Sequence, residues 1–163
     1  MALTIVWVDG GADGVTETFK ISTPIAHLLL ACQQGVIVAA DWLLAANCAY
    51  PDHELQGYFT QANPQAEITV KLLKQGSAYR HKVWAEMGKI PYGSTLSYAA
   101  LAKNIGSSAR AVGNACRDNP YPLIIPCHRV VSANGLGGYC GATQGDYIAL
   151  KTHLLAIEAQ HKP

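Results

Sequence analysis

One stretch of the chain combines residue types that can do covalent chemistry: Pro122-Leu123-Ile124-Ile125-Pro126, followed directly by Cys127-His128-Arg129-Val130-Val131. Two prolines fix the backbone around the apolar run, which reads as a short strand, so a thiol is presented at the end of a rigid element. A free thiol has a pKa of about 8.5 and reacts as the thiolate, so Cys127 needs a neighbouring base or a positive field. His128 is the candidate base. Adjacent side chains diverge, so it is expected to reach the sulfur through a water rather than directly. The imidazole needs an acceptor to fix its tautomer, and Glu158, in a last helix predicted from about Gly145 to Gln160, offers a carboxylate. On chemistry alone, a Cys/His/Glu hydrolase competes with any other thiol reaction.

The elements that must position this set lie in a back half that reads as α. Ser77 is a reasonable N-cap, and Tyr79, Val83, Trp84 and Met87 follow at helical spacing before Gly88 and Pro91 end the element. Ser97 caps the next helix, with Tyr98, Leu101, Ala102 and Ile105 on it, and Gly106 stops it. Ser107-Ser108 then cap a third helix with Ala109, Val112, Ala115 and Cys116 on one face, ending at Asp118-Asn119-Pro120. Helix, glycine-containing turn and helix is the helix-turn-helix arrangement, a pattern that many helical pairs without DNA share. The exposed face of its second helix holds Arg110, Asn114 and Arg117, separated by the small Ala111 and Gly113. Such a face can approach a phosphate backbone closely.

The front half reads as β. Leu3–Val8 and Val15–Ile21 are strands joined by a turn at Asp9-Gly10-Gly11, and a second hairpin joins Ala26–Cys32 to Val36–Ala40 through Gln33-Gln34-Gly35. His53–Thr60 fits one short helix, and Asn63-Pro64 starts the passage to the back half. A zinc site from His27, Cys32, Cys48 and His53 carries no ligand signature, and a structural role for all four is the expectation.

Composition bounds the function. With 163 residues, 50% of them apolar, 14% charged and a net charge of +1, the chain has the make-up of a globular protein, not of a disordered tail. Its longest apolar stretch, Ala26 to Trp42, is broken by Gln33, Gln34 and Asp41, short of the roughly 18 unbroken residues a membrane span needs. Met1–Asp9 shows no basic leader, and the expectation is a cytoplasmic protein away from membranes. Five cysteines at irregular spacing cannot complete a disulfide framework and are expected as thiols. Net charge hides an asymmetry: residues 1–74 hold seven acidic against three basic residues, a net of −4, and residues 75–163 hold four against nine, a net of +5. A basic half suggests a polyanion there, or merely a solvated charged face.

Taken with Arg110-Ala111-Val112-Gly113-Asn114-Ala115, Asn119-Pro120 and Gly135-Leu136-Gly137-Gly138-Tyr139, the Pro126-Cys127-His128-Arg129-Val130 motif resembles the O6-alkylguanine-DNA alkyltransferases. The resemblance runs over about residues 76–160, through Val83-Trp84, Ile90-Pro91-Tyr92-Gly93, Ser97-Tyr98 and Leu154-Leu155-Ala156-Ile157-Glu158. In the front half it rests on less: Thr23-Pro24, Leu28-Leu29-Leu30, Gly35-Val36 and Tyr58-Phe59. It implies an α+β fold: a small N-terminal α/β domain over 1–74 with a ribonuclease-H-like antiparallel sheet, then a mainly helical C-terminal domain over 75–163 with a helix-turn-helix of winged-helix type.

The resemblance also implies suicide repair of double-stranded DNA containing O6-alkylguanine, with O4-alkylthymine as a further substrate, by a monomer that needs no cofactor and no metal. Cys127 is then the alkyl acceptor, His128 the base acting through a water, Glu158 its orienting carboxylate, and Asn119 the residue that holds the active-site turn. Tyr98 pushes on the target phosphate and donates to the guanine ring, while Arg110 fills the gap left by a nucleotide flipped through the minor groove. Ala109, Ala111 and Gly113 keep the DNA-facing helix slim, beside Asn114 and Arg117. Tyr98, Cys116, Val130, Tyr139, Cys140 and Gly141 are expected to line the lesion pocket, Cys140 through its backbone N–H to guanine O6. Cys116 and Cys140 stand where relatives usually carry other residues, as small apolar fillers or as partners of Cys127 in an oxidised bridge. Two other functions compete: a sensor that binds the lesion without repairing it, which would lack the nucleophile, and the Cys/His/Glu hydrolase, for which the Arg110 face would serve no purpose.

Overall fold

The computed structural model describes residues 2–10, 13–60 and 67–160. The chain separates into two compact units, residues 1–75 and 76–163.

The first unit is built on a five-stranded sheet of β1 (Ala2–Val8), β2 (Glu17–Ser22), β3 (His27–Gln33), β4 (Val36–Leu43) and β5 (Glu67–Leu73), in the order β1-β5-β4-β3-β2. The predicted second hairpin forms: Gln34 and Gly35 take φ of 51° and 78°, the pair of positive values a two-residue turn between twisted strands requires. The predicted first hairpin does not. β1 and β2 lie at opposite edges, and β1 pairs in parallel with β5, Ile5 opposite Val70. Of the turn assigned to Asp9-Gly10-Gly11, Gly11 lies outside the described residues, as do Asn63 and Pro64.

The sheet is therefore mixed: β2, β3 and β4 run antiparallel, while β4–β5 and β5–β1 run parallel, which corrects the expected antiparallel sheet. Period-two alternation turns Leu28, Leu30 and Cys32 of β3 inward, to meet Ile21, Ile37 and Leu72 in the core. The short helix α1 (Gln56–Thr60) adds Tyr58 and Phe59, with Leu55 just before it. It begins three residues later than expected, because His53 Nδ1 first accepts the Leu55 N–H at 3.2 Å in a turn.

The second unit follows the capping residues. α2 (Ala78–Met87), α3 (Tyr98–Ile105) and α4 (Ala109–Arg117) start behind Ser77, Ser97 and Ser108, each of whose hydroxyls accepts a backbone N–H from the first turn. Gly106 closes α3 at φ 67°, in the left-handed region, and only Ser107 and Ser108 separate it from α4. α2 packs behind this helix-turn-helix: Trp84 Nε1 donates to the Ala115 carbonyl at 2.9 Å, and Arg80 pairs with Asp118 at 2.6 Å. Two-residue strands β6 (Leu96–Ser97) and β7 (Val130–Val131) pair in parallel, and α5 (Asp146–Gln160) ends the described chain.

Candidate active site and nucleic-acid face

Cys127, His128 and Arg129 form one 3-10 turn in which all three side chains are buried. The run before it is not a strand. Ile125 N–H donates to the Tyr121 carbonyl at 2.9 Å and Leu123 sits at φ 72°, so Pro122–Pro126 folds back as a turn. A left-handed leucine costs about 1–2 kcal/mol, and Asn119 is what holds it there. Its Nδ2 donates to the Ile125 carbonyl at 2.9 Å, and its Oδ1 accepts from Tyr121 N–H at 3.0 Å. The Asn119 side chain and the backbone N–H groups of Cys127 and His128 favour the thiolate form of Cys127. Burial outweighs these donors and pushes the Cys127 thiol above its ordinary pKa. At neutral pH the sulfur carries its proton and needs a base.

His128 is the candidate. Its Nε2 lies 2.8 Å from Glu158 Oε1, and its buried Nδ1 meets no hydrogen-bonding partner among the described residues. Burial draws His128 below its usual pKa against the pull of Glu158, and Arg129 and Lys151 add to the lowering. The imidazole is thus neutral at pH 7, with its N–H given to Glu158 and the Nδ1 lone pair open. Burial would raise Glu158, but the hydrogen bonds and charges of His128 and Arg129 bring it down to about 2. Arg129 is the second partner of the carboxylate. Its Nε lies 3.0 Å from both carboxylate oxygens, Nη2 donates to Oε1 at 2.7 Å, and Nη1 donates to the Ile90 carbonyl at 2.9 Å.

Cys127 lies on the wall of an open cavity of about 560 Å³, bounded by α3, α4 and the loop Ser132–Thr143. Of the expected pocket residues, Tyr98, Cys116, Tyr139, Cys140 and Gly141 line it. Val130 does not: its side chain is wholly buried, and its carbonyl is held by Lys151 at 2.6 Å. Tyr98 is pushed up to about 12, by burial first and then by the neighbouring thiols, so its hydroxyl remains a donor. Gly137 is obligatory beside it, since a Cβ there would meet the Tyr98 ring at 2.8 Å and φ is already 72°. Cys116 Sγ lies 3.5 Å from Met87 Sδ, and Cys140 is exposed at φ 51°.

The outer wall of the cavity is the face of α4 that carries Ala109, Arg110, Gly113, Asn114 and Arg117. All but Gly113 are exposed; Ala111 stands half-buried on the same helix and does not line the cavity. No group of three metal-binding side chains occurs among the described residues, and His27 instead hydrogen-bonds Ser22 at 2.8 Å. Sequence reasoning missed Lys151; Arg129 reads from the motif as a structural ion-pair residue outside catalysis, and it pairs with Glu158 at 2.7 Å. A signal for Lys151 existed: it falls at helical spacing on the buried stripe of Leu150, Leu154 and Glu158, where a charge needs partners.

Fold and site define a class: a two-unit α+β protein whose helix-turn-helix walls a cavity with a cysteine in it and a buried histidine and glutamate behind. Residues 78–160 match the family described as 6-O-methylguanine DNA methyltransferase, DNA binding domain, and the chain belongs to that family. The methylated-DNA–protein-cysteine methyltransferase of Mycolicibacterium paratuberculosis is 41% identical over 113 residues, which are 68% of this chain and 64%, just under two thirds, of that relative. The crystal structure of Mycobacterium tuberculosis O6-methylguanine methyltransferase superposes with a TM-score of 0.72 at 34% identity, covering 91% of this chain and 96% of that one. Mycobacterium tuberculosis OGT in complex with DNA is similar at a TM-score of 0.71 and 33% identity, over 88% and 93% of the two chains.

Proposed function

We propose that the protein repairs duplex DNA by moving the alkyl group of O6-alkylguanine irreversibly onto Cys127, one group per molecule. The observation that carries this reading is the neutral His128, with Nε2 tied to Glu158 and Nδ1 open, directly after a protonated cysteine that reaches the cavity under α4. His128 Nδ1 takes the thiol proton through a water, leaving the thiolate. The sulfur attacks the alkyl carbon in line, the S–C bond forms, and the C–O6 bond breaks with its electron pair going to guanine. Tyr98, protonated at working pH, donates to the leaving guanine, and the Cys140 N–H faces O6. Asn119 keeps the turn that presents the sulfur. The product thioether has no route back, so the molecule acts once.

The partner is double-stranded DNA, with the target nucleotide flipped into the cavity through the minor groove and Arg110 occupying the space it leaves. Gly113 supports a close approach. A Cβ there would touch nothing within 4 Å inside the protein, so no internal packing asks for glycine in mid-helix, where it costs about 1 kcal/mol relative to alanine. Ala109 and Ala111 keep the same helix slim, and Asn114 and Arg117 extend the polar face. In this reading the helix-turn-helix is of winged-helix type and the first unit a ribonuclease-H-like support. The protein acts as a monomer in the cytoplasm without a cofactor, and O4-alkylthymine is a second substrate. Counting restored guanine per protein molecule tests the reading: repair is expected to stop at one equivalent, whereas continued turnover would identify a hydrolase.

A further inference from the structure

Three thiols line one cavity: Cys116 on α4, Cys127 at its turn and Cys140 in the loop Ser132–Thr143. The proposed transfer uses one of them. Cys140 sits in the tip of a two-residue turn, where Tyr139 and Ala142 exchange both backbone hydrogen bonds at 2.9 Å and Cys140 and Gly141 take φ of 51° and 80°. Asparagine, aspartate and glycine suit such a tip, so local conformation gives no reason for a cysteine there. Its thiol is exposed, whereas that of Cys127 is buried. The two segments meet at one atom. Lys151 Nζ donates to the Val130 carbonyl, three residues past Cys127, at 2.6 Å and to the Gly138 carbonyl, two residues before Cys140, at 3.0 Å. The sulfurs also sense each other, since a charge on Cys127 opposes ionisation of Cys140. Cys116 is placed differently: it is buried within a helix, and its S–H donates to Met87 Sδ at 3.5 Å. Bringing it to Cys127 would disturb α4, whereas Cys140 is fixed by a turn alone.

We infer that Cys140 is a resolving thiol for Cys127, and that under peroxide the two close an intramolecular disulfide across the pocket, masking the acceptor reversibly. This rests on the proposed transfer to Cys127 and gives that site a redox control. Hydrogen peroxide is the oxidant. The Cys127 thiolate, its proton taken by His128 through a water, attacks one peroxide oxygen; the S–O bond forms, the O–O bond breaks, and the departing hydroxide collects that proton as water. Cys127 is then a sulfenic acid, oxidised by two electrons. The Cys140 sulfur attacks it, the S–S bond forms, the S–O bond breaks, and hydroxide leaves with the Cys140 proton as a second water.

The order of events follows from the surroundings of each thiol. Burial first, and then the charge of Cys127, push Cys140 up to about 12, so it is not the sulfur that peroxide meets as a thiolate. The sulfenic acid is neutral, so the charge on Cys127 that opposed ionisation of Cys140 is gone when Cys140 has to react. An acceptor that works once is wasted if oxidation runs on to sulfinic acid, and a disulfide halts it at a stage that a thiol reductant reverses.

Trypsin separates the three thiols, because Arg110, Arg117, Arg129 and Lys151 place Cys116 in residues 111–117, Cys127 in 118–129 and Cys140 in 130–151. After mild peroxide treatment and blocking of free thiols, mass spectrometry without reduction is expected to find 118–129 joined to 130–151, in a single chain lighter by two hydrogens, about 2 Da. Dithiothreitol is then expected to return methyl transfer to its untreated level. In Cys140→Ser, compared with its own untreated sample, Cys127 is expected to run on to sulfinic or sulfonic acid, and the share of transfer recovered by dithiothreitol is expected to be severalfold smaller. Cys116→Ser is expected to keep the bridge. Cys127 joined to 111–117, Cys127 joined to a second chain, or equal and irreversible oxidation in the native chain and in Cys140→Ser would each overturn the inference. A chain that takes a methyl group from lesion DNA but forms no bridge would overturn it too. One that forms the bridge yet takes up no methyl group would sink the repair reading and leave the disulfide standing.

Discussion

At Cys127 burial keeps the thiol protonated, so the rate of the proposed transfer rests on the base. His128 must be neutral to serve, and its depressed pKa places the acid limb of the transfer profile below pH 6.5. His128→Gln is expected to slow methyl transfer by at least about a hundredfold while leaving binding to unmodified duplex intact; single-turnover kinetics across pH would show both effects. The Glu158 carboxyl sits at about 2 when folded, against about 4.3 unfolded, so it stabilises the fold above pH 4.3 and that contribution is lost as pH falls toward 2. The neutral His128 acts in the same direction, its contribution present above about 6.5 and lost below it. Arg129→Met leaves Glu158 buried without its permanent partner and is expected to cost about 3–5 kcal/mol in urea unfolding at pH 7. The reactive residues were legible because a thiol, an imidazole and a carboxylate announce their chemistry. Lys151 was missed because a lysine in a helix reads first as solvated, and only its helical spacing with Leu150, Leu154 and Glu158 marks it otherwise.

The helices were legible because their caps are chemical: three serines whose hydroxyls accept from the first turn, and a glycine at the end of α3. What the sequence hid were elements defined by distant partners. β5 alternates polar and apolar residues as a half-buried strand does, Glu67-Ile68-Thr69-Val70-Lys71-Leu72, yet nothing local says that it lies between β1 and β4, since parallel strands have no tight turn to mark them. Pro122–Pro126 reads as a strand on composition, and only the Asn119 side chain, several residues upstream, makes it a turn. The α4 helix yields a prediction in which two readouts move oppositely. Gly113→Ala adds a methyl into open space within the protein, so thermal unfolding is expected to show about 1 kcal/mol of added stability. Duplex affinity, read by fluorescence anisotropy, is expected to fall severalfold, because in the proposed complex the DNA backbone takes that space. Unchanged affinity would remove the close approach from the account.

Across the whole chain, charge is divided: −4 over residues 1–74 and +5 over 75–163, with the cavity and the α4 face in the basic part. Contacts to phosphate carry affinity and are lost with salt, so binding to unmodified duplex is expected to weaken linearly on a log–log salt plot. Arg117→Ala, which removes one exposed cation from the α4 face, is expected to reduce that slope by about 1 without altering lesion preference. The division was visible from counting, whereas the mixed order of the sheet was not. The proposed repair comes down to one event, a single transfer to one sulfur. Its most direct test is the intact mass of the protein after incubation with excess duplex carrying one O6-methylguanine, beside Cys127→Ala. A gain of one methyl group, about 14 Da, on the native chain alone is the result expected of a covalent acceptor. Tight binding to the lesion duplex with no change in mass would contradict it.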